Sequence, residues 1–173
     1  MNGCITPDQR NEQLIDAIKY NDQNKVASLI VKGADVNHIQ DELSPLCVAA
    51  MFGSTEIAKD LMAAGAEVQP VGVRKSPLHL AAFFGNVELV KTLLEAGASV
   101  NSTQAEYGMT PLQQAASLNQ WATVEYLLQA GADIMQKDSA SRTAYDIAVQ
   151  HSYTELAAWL QQEMQKSQAA ASQ

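Results

Sequence analysis

SPLHLAAFFGNVELVKTLLEAGASVN, residues Ser76 to Asn101, carries the punctuation that decides the fold. Ser76 stands before Pro77. A serine is a good helix N-cap, and a proline at the first helical position loses no hydrogen bond and already holds a helical φ. Leu78, Leu80, Ala81 and Ala82 follow, and the small alanines admit a close neighbour. Gly85-Asn86 ends this helix and turns the chain. Val87, Leu89, Val90, Leu93 and Leu94 then recur at the i, i+3, i+4 spacing of a second helix. Gly97 stops it, and Val100-Asn101 leads into an extended hairpin. Two helices this short cannot bury their own apolar faces, so the unit needs neighbours.

The neighbours are written in the same chain. Ser44-Pro45-Leu46-Cys47, Ser76-Pro77-Leu78-His79, Thr110-Pro111-Leu112-Gln113 and Thr143-Ala144-Tyr145-Asp146 follow one another at intervals of 32, 34 and 33 residues. Gly-Ala pairs at Gly33, Gly65, Gly97 and Gly131 keep phase and expose one more copy, Gln13 to Asn37, without the proline. A period near 33 with the pattern T-P-L-H-x-A resembles the ankyrin repeat. The resemblance spans almost the whole chain. It implies an all-α ankyrin-repeat solenoid of stacked helix-turn-helix units joined by β-hairpin loops. The expected layout is a flexible segment at 1–9, one domain at 10–165 and a flexible tail at 166–173. The repeats fall near 10–38, 39–70, 71–104, 105–137 and 138–165. The outer copies read as caps, with Asp16 in place of a leucine in the first and Ala144 and Asp146 in place of proline and histidine in the last. His79 falls on the family's motif histidine, which implies a structural bond to neighbouring turns. Asn37 and Asn101 read as turn asparagines.

Charge and composition exclude several function classes. The chain has 173 residues, 11 basic and 19 acidic, for a net charge of −8. Such a surface repels phosphate backbones and anionic lipids, so neither nucleic acid nor membrane is expected as a partner; a protein with a basic rim is. Cys4 and Cys47 form neither a disulfide framework nor a metal-ligand cluster. The first ten residues lack the apolar core of a secretory leader, and no apolar run approaches the ~20 residues of a membrane helix. The expectation is a cytoplasmic protein; for a host-associated bacterium, export as an effector without a classical signal is the alternative. His38, His79 and His151 sit at no metal-binding spacing, and neither a nucleophile elbow nor a phosphate-cradling loop is present. No cofactor, metal or enzyme activity is expected.

The resemblance also implies where a partner would bind: at the hairpin tips and at the two residues after each Ala-Ala pair. Carried over, these are Tyr20, Met51, Phe52, Phe83, Phe84, Leu118 and His151 on the first helices. On the hairpins they are Asp41, Leu43, Lys75, Glu106, Tyr107, Met109 and Arg142. All three phenylalanines fall in the middle of this surface and the charges toward its edge, as in a binding site with an apolar centre and polar rim. Two readings fit, a partner surface or plain packing between repeats. The third hairpin is long, 14 residues from Gly97 to Pro111 against 12 from Gly65 to Pro77. That fits either a clamp or drift in a tolerant loop. Trp121 and Trp159 belong to second helices, the former half-buried and the latter packed under the tail. The expected function is a non-enzymatic protein-protein interaction module (adaptor, inhibitor or effector), more a monomer than a homodimer. Its rivals are a self-associating scaffold and, more remotely, a small-ligand site. The last would need a pocket with converging polar groups, for instance beside Arg142 and His151.

Overall fold

The computed structural model describes residues 6–104 and 106–171. Each mark read from the sequence sits at a helix boundary. Pro45, Pro77 and Pro111 are first residues of helices capped by Ser44, Ser76 and Thr110. The turn inside each helix pair needs one left-handed residue, which Gly53 and Gly85 supply at φ 73° and 76°. Five helix pairs result. They are α1 (Pro7–Lys19) with α2 (Gln23–Val31), α3 (Pro45–Phe52) with α4 (Thr55–Ala63), α5 (Pro77–Phe84) with α6 (Val87–Glu95), α7 (Pro111–Ser117) with α8 (Trp121–Gln129), and α9 (Ala144–Gln150) with α10 (Thr154–Ala171). The first helices stack in the order α1, α3, α5, α7, α9, and α2, α4, α6 and α8 form a second layer behind them. Leu46, Leu78 and Leu112 of the first layer and Leu61, Leu93 and Leu127 of the second are at most 1% exposed. Each such side chain contributes about 1.5–3 kcal/mol through burial, so the core is one continuous apolar seam running along the stack.

The ends differ from the sequence reading. Residues 1–5 of the expected N-terminal segment, Cys4 included, and residues 172–173 of the expected tail lie outside the described residues. Helix α1 already begins at Pro7, because Thr6 and Gln9 form a reciprocal capping box. At the other end, residues 166–171 of the expected tail continue α10. Nothing there breaks the helix: alanine is the best helix former, and Lys166 Nζ pairs with Glu163 at 2.7 Å. Trp159 of α10 half-buries against Trp121 of α8, ring centres 5.5 Å apart.

What registers one repeat on the next is a single position, the third residue of each first helix. His79 Nε2 lies 3.1 Å from the Ser102 carbonyl oxygen and 3.0 Å from that of Met109. Facing two acceptors, it must carry the proton, so Nδ1 accepts from the Ser76 hydroxyl at 2.8 Å. One ring thus ties both limbs of the next hairpin. Gln113 repeats the act one unit on, donating to Gln136 O at 2.9 Å and Arg142 O at 2.8 Å. Cys47 does so weakly, its thiol 3.4 Å from Lys75 O. Among the described residues no hairpin follows the last repeat, and Asp146, an acceptor only, turns back to cap its own helix through Thr143. Asn37 and Asn101 are more than turn residues. Asn37 spans to Gly65 O and the Glu67 N–H, and Asn101 to Gly131 O and the Asp133 N–H.

Burial holds the His79 ring neutral, with its pKa lowered from 6.5 to about 4 although its two carbonyl bonds pull upward. The unfolded chain therefore takes up this proton near pH 6.5 and the folded one only near 4. Stability is full above 6.5 and falls across that window by on the order of 3 kcal/mol. Replacing His79 by Gln, as Gln113 already does one repeat on, keeps the bridge and removes the slope. Urea unfolding between pH 7 and 5 checks this; a slope unchanged in His79→Gln would assign the acid sensitivity to another group.

Candidate functional site

The extra length of the third hairpin builds a finger, described at residue 104 and at 106–109, that meets α7 through Gln104 and Met109. Gln104 N–H bonds to Met109 O and the Gly108 N–H to Gln104 O, closing the loop at 3.1 and 3.0 Å. Gly108 turns the tip at φ 62°, and a Cβ there would stand 2.7 Å from the Ser139 hydroxyl of the next hairpin. Ser139 N–H in turn donates to Tyr107 O at 3.0 Å. Arg74 laces the finger to its other neighbours, its Nε 3.0 Å from Glu42 and 3.7 Å from Glu106. These pairs are mostly exposed and add little stability, yet they set the spacing of the tips.

Under the finger lies an open hollow of about 280 Å3. Its wall is apolar: Phe83, Tyr107, Met109, Leu118 and Ile147. Its floor is polar: Lys75, Gln104 and Gln114, with Ser117 beside them. Arg142 and His151 close the far edge. A neighbouring hollow holds Asp41, Leu43 and Met51 and shares Lys75.

The floor is an ordered chain of donors. Lys75 Nζ lies 4.6 Å from the centre of the Phe83 ring and 3.4 Å from Gln114 Oε1. The ammonium has donors only, so it fixes which end of the Gln114 amide faces it. Gln114 Nε2 must then point the other way, where it reaches Gln104 Oε1 at 3.3 Å. That in turn fixes the Gln104 amide and leaves its Nε2 without an acceptor, although the residue is only 5% exposed. An unmet buried donor costs about 1–3 kcal/mol. Burial in this apolar setting lowers the Lys75 pKa. Arg142 is differently placed. Its guanidinium grips Asp138 through Nε and Nη2 at 2.9 and 2.7 Å and spends Nη1 on Gln150. The arginine bonds hold the Asp138 carboxyl below its ordinary pKa against the upward push of burial.

A family model for ankyrin repeats (three copies) matches residues 14–104 and 69–138. The chain belongs to the ankyrin-repeat family. No curated protein matches it. Ankyrin repeats are generally protein-protein interaction modules and typically not enzymes. Among the described residues, no helix is long and apolar enough to cross a membrane, and no three His, Cys, Asp or Glu side chains are placed to hold a metal.

The expected site residues divide on this ankyrin surface. Lys75, Phe83, Tyr107, Met109, Leu118, Arg142 and His151 meet at one hollow; Asp41, Leu43 and Met51 meet at the next. Phe52, Phe84 and Tyr20 line neither and are 53%, 46% and 83% exposed, and Glu106 sits with Arg74 on the outer side of the fingers. Phe83 is the half-buried member of its pair, and Phe84 stands edge-on to it at 5.1 Å. Lys75, expected as a rim charge, instead lies over the Phe83 ring inside the hollow, whereas Arg142 stays at its edge on the buried Asp138 carboxylate. Gln104 and Gln114 were not among the expected residues. The signal was legible for one: Gln114 occupies the position that is Val48, Leu80 and Ile147 in other repeats.

Since the orphaned donor is a cost to the fold, Gln104→Leu with Gln114→Leu should unfold at higher urea than wild type, by about 1 kcal/mol. Gln114→Leu alone strands both ends of the Gln104 amide and should lie below the double variant. Chemical denaturation of the three proteins orders them.

Proposed function

We propose that the chain binds a partner protein through its concave face, centred on the hollow between the 104–109 finger and helices α5, α7 and α9. The observation that carries this is an open, apolar-lined hollow that holds the Lys75 ammonium over the Phe83 ring with no ion pair among the described residues. Tyr107 and Leu118 are 52% and 42% exposed around it, so the wall is open to contact. The stacked repeats hold these side chains in place before binding, which keeps the ordering entropy of association low. Acidic residues at the finger tips, Asp41, Glu42 and Glu106, suit the expected partner with a basic rim and would speed the encounter.

A small ligand in the same hollow is the second reading, favoured by the presence of Arg142 and His151 at its edge. Two observations weigh against it. The hollow is at the lower limit of ligand pockets, and Arg142 already commits three of its five N–H donors to Asp138 and Gln150.

The test is affinity capture from the native lysate, read by mass spectrometry, with wild type, Tyr107→Ser plus Leu118→Glu, and Val31→Glu as a control on the second layer. Each must first match the wild-type helical circular dichroism. A protein held by wild type and Val31→Glu but lost by the concave variant supports the proposal. A protein held by all three, or lost only with Val31→Glu, contradicts it.

A further inference from the structure

The hollow is chemically one-sided in a chain of net charge −8. Neither Asp nor Glu lines it. Of its two permanent cations, Arg142 is neutralised by Asp138, whose carboxylate is fully buried. Lys75 is not: among the described residues its ammonium makes no ion pair, and its contacts are a ring face and one amide oxygen. Glu106 attracts it through space, but that carboxylate lies beside Arg74. Behind the Gln114 amide, the buried Gln104 amide keeps an N–H pair that finds no acceptor. The floor therefore presents one positive charge without an ion pair, and that charge orients the Gln114 amide. What is missing is a single anionic acceptor.

A phosphate group fits poorly. It brings up to two negative charges into the field of an acidic protein and asks for a fork of donors, and the Nε/Nη2 fork of Arg142 already holds Asp138. A carboxylate matches one ammonium. The wall of Phe83, Met109, Leu118 and Ile147 sets a second condition, an apolar group next to the acid.

Resting on the concave face being the binding surface, we propose that this hollow takes an Asp or Glu side chain of a partner segment, held by Lys75, with an adjacent aliphatic or aromatic residue seated against Met109 and Leu118. The acidic finger tips and the basic floor then read different parts of one partner, a basic surround and an acidic anchor.

The test uses the whole chain and a random peptide library displayed on phage, followed by titration of the selected peptides as synthetic compounds. The expected winners pair Asp or Glu with a neighbouring Leu, Ile, Met or Phe. Lys75→Gln should weaken them about tenfold or more, the range for a lost charged hydrogen bond. Changing the peptide's acid to its amide should cost the wild type about tenfold but leave Lys75→Gln almost indifferent, since the two changes remove the same contact. Circular dichroism and unfolding of each variant confirm that the fold is kept. Winners without an acid, winners that Lys75→Gln binds equally well, or a selection that yields none overturn the proposal. Among failures, winners weakened by Leu118→Glu but not by Lys75→Gln leave the concave face as the binding surface. Winners indifferent to both remove that surface as well.

Discussion

Everything in this molecule depends on how one hairpin's carbonyl oxygens are met by the repeat before it. A hairpin limb that pairs with no strand leaves its backbone oxygens facing inward, and a buried oxygen without a donor is expensive. The third position of each first helix supplies the donor: Cys47, His79, then Gln113. The chemistry differs, but the requirement is the same, a side chain that donates forward to the next unit. His79 and Gln113 also turn back to their own helix caps, His79 through the Ser76 hydroxyl and Gln113 through the Thr110 N–H. Asp146, with no hairpin ahead of it among the described residues, keeps the backward bond alone. Apolar burial makes the stack stable, whereas these bonds make it register.

That register is what turns a tolerant loop into a positioned finger. His79 grips Ser102 and Met109, the two ends of the long hairpin, so the added residues can bulge only between them. The bulge brings Gln104 and Met109 over Gln114 and places Tyr107 across from Leu118. A hydrogen bond that serves stability in one repeat thereby fixes the geometry of the hollow in the next. The same coupling explains why Lys75, just before the cap residue of α5, sits inward over Phe83.

The helix pairs and their order were legible in the sequence because proline, glycine and the Ala-Ala pair each impose a local geometry at a fixed phase. The helical content of 166–171 was less so, since small polar residues read as fraying unless the neighbouring turn holds them. The rim placement of Lys75 failed for a physical reason: a long cationic side chain is as free to fold over an aromatic face as to reach water. Asp138, which holds Arg142, lies 4 residues before it inside a turn, and no periodicity marks it. The floor was half legible. Gln114 breaks an apolar column in plain view, but Gln104 becomes its partner only through a loop whose path the sequence does not display.

Amide hydrogen exchange of the chain with and without its captured partner tests the central claim most directly, because it reports every segment at once. The account predicts slowed exchange at 106–109, 117–118 and around His151, with α2, α4 and α6 unchanged. Protection confined to the second helices, with the finger exchanging as fast as in the free protein, would contradict it.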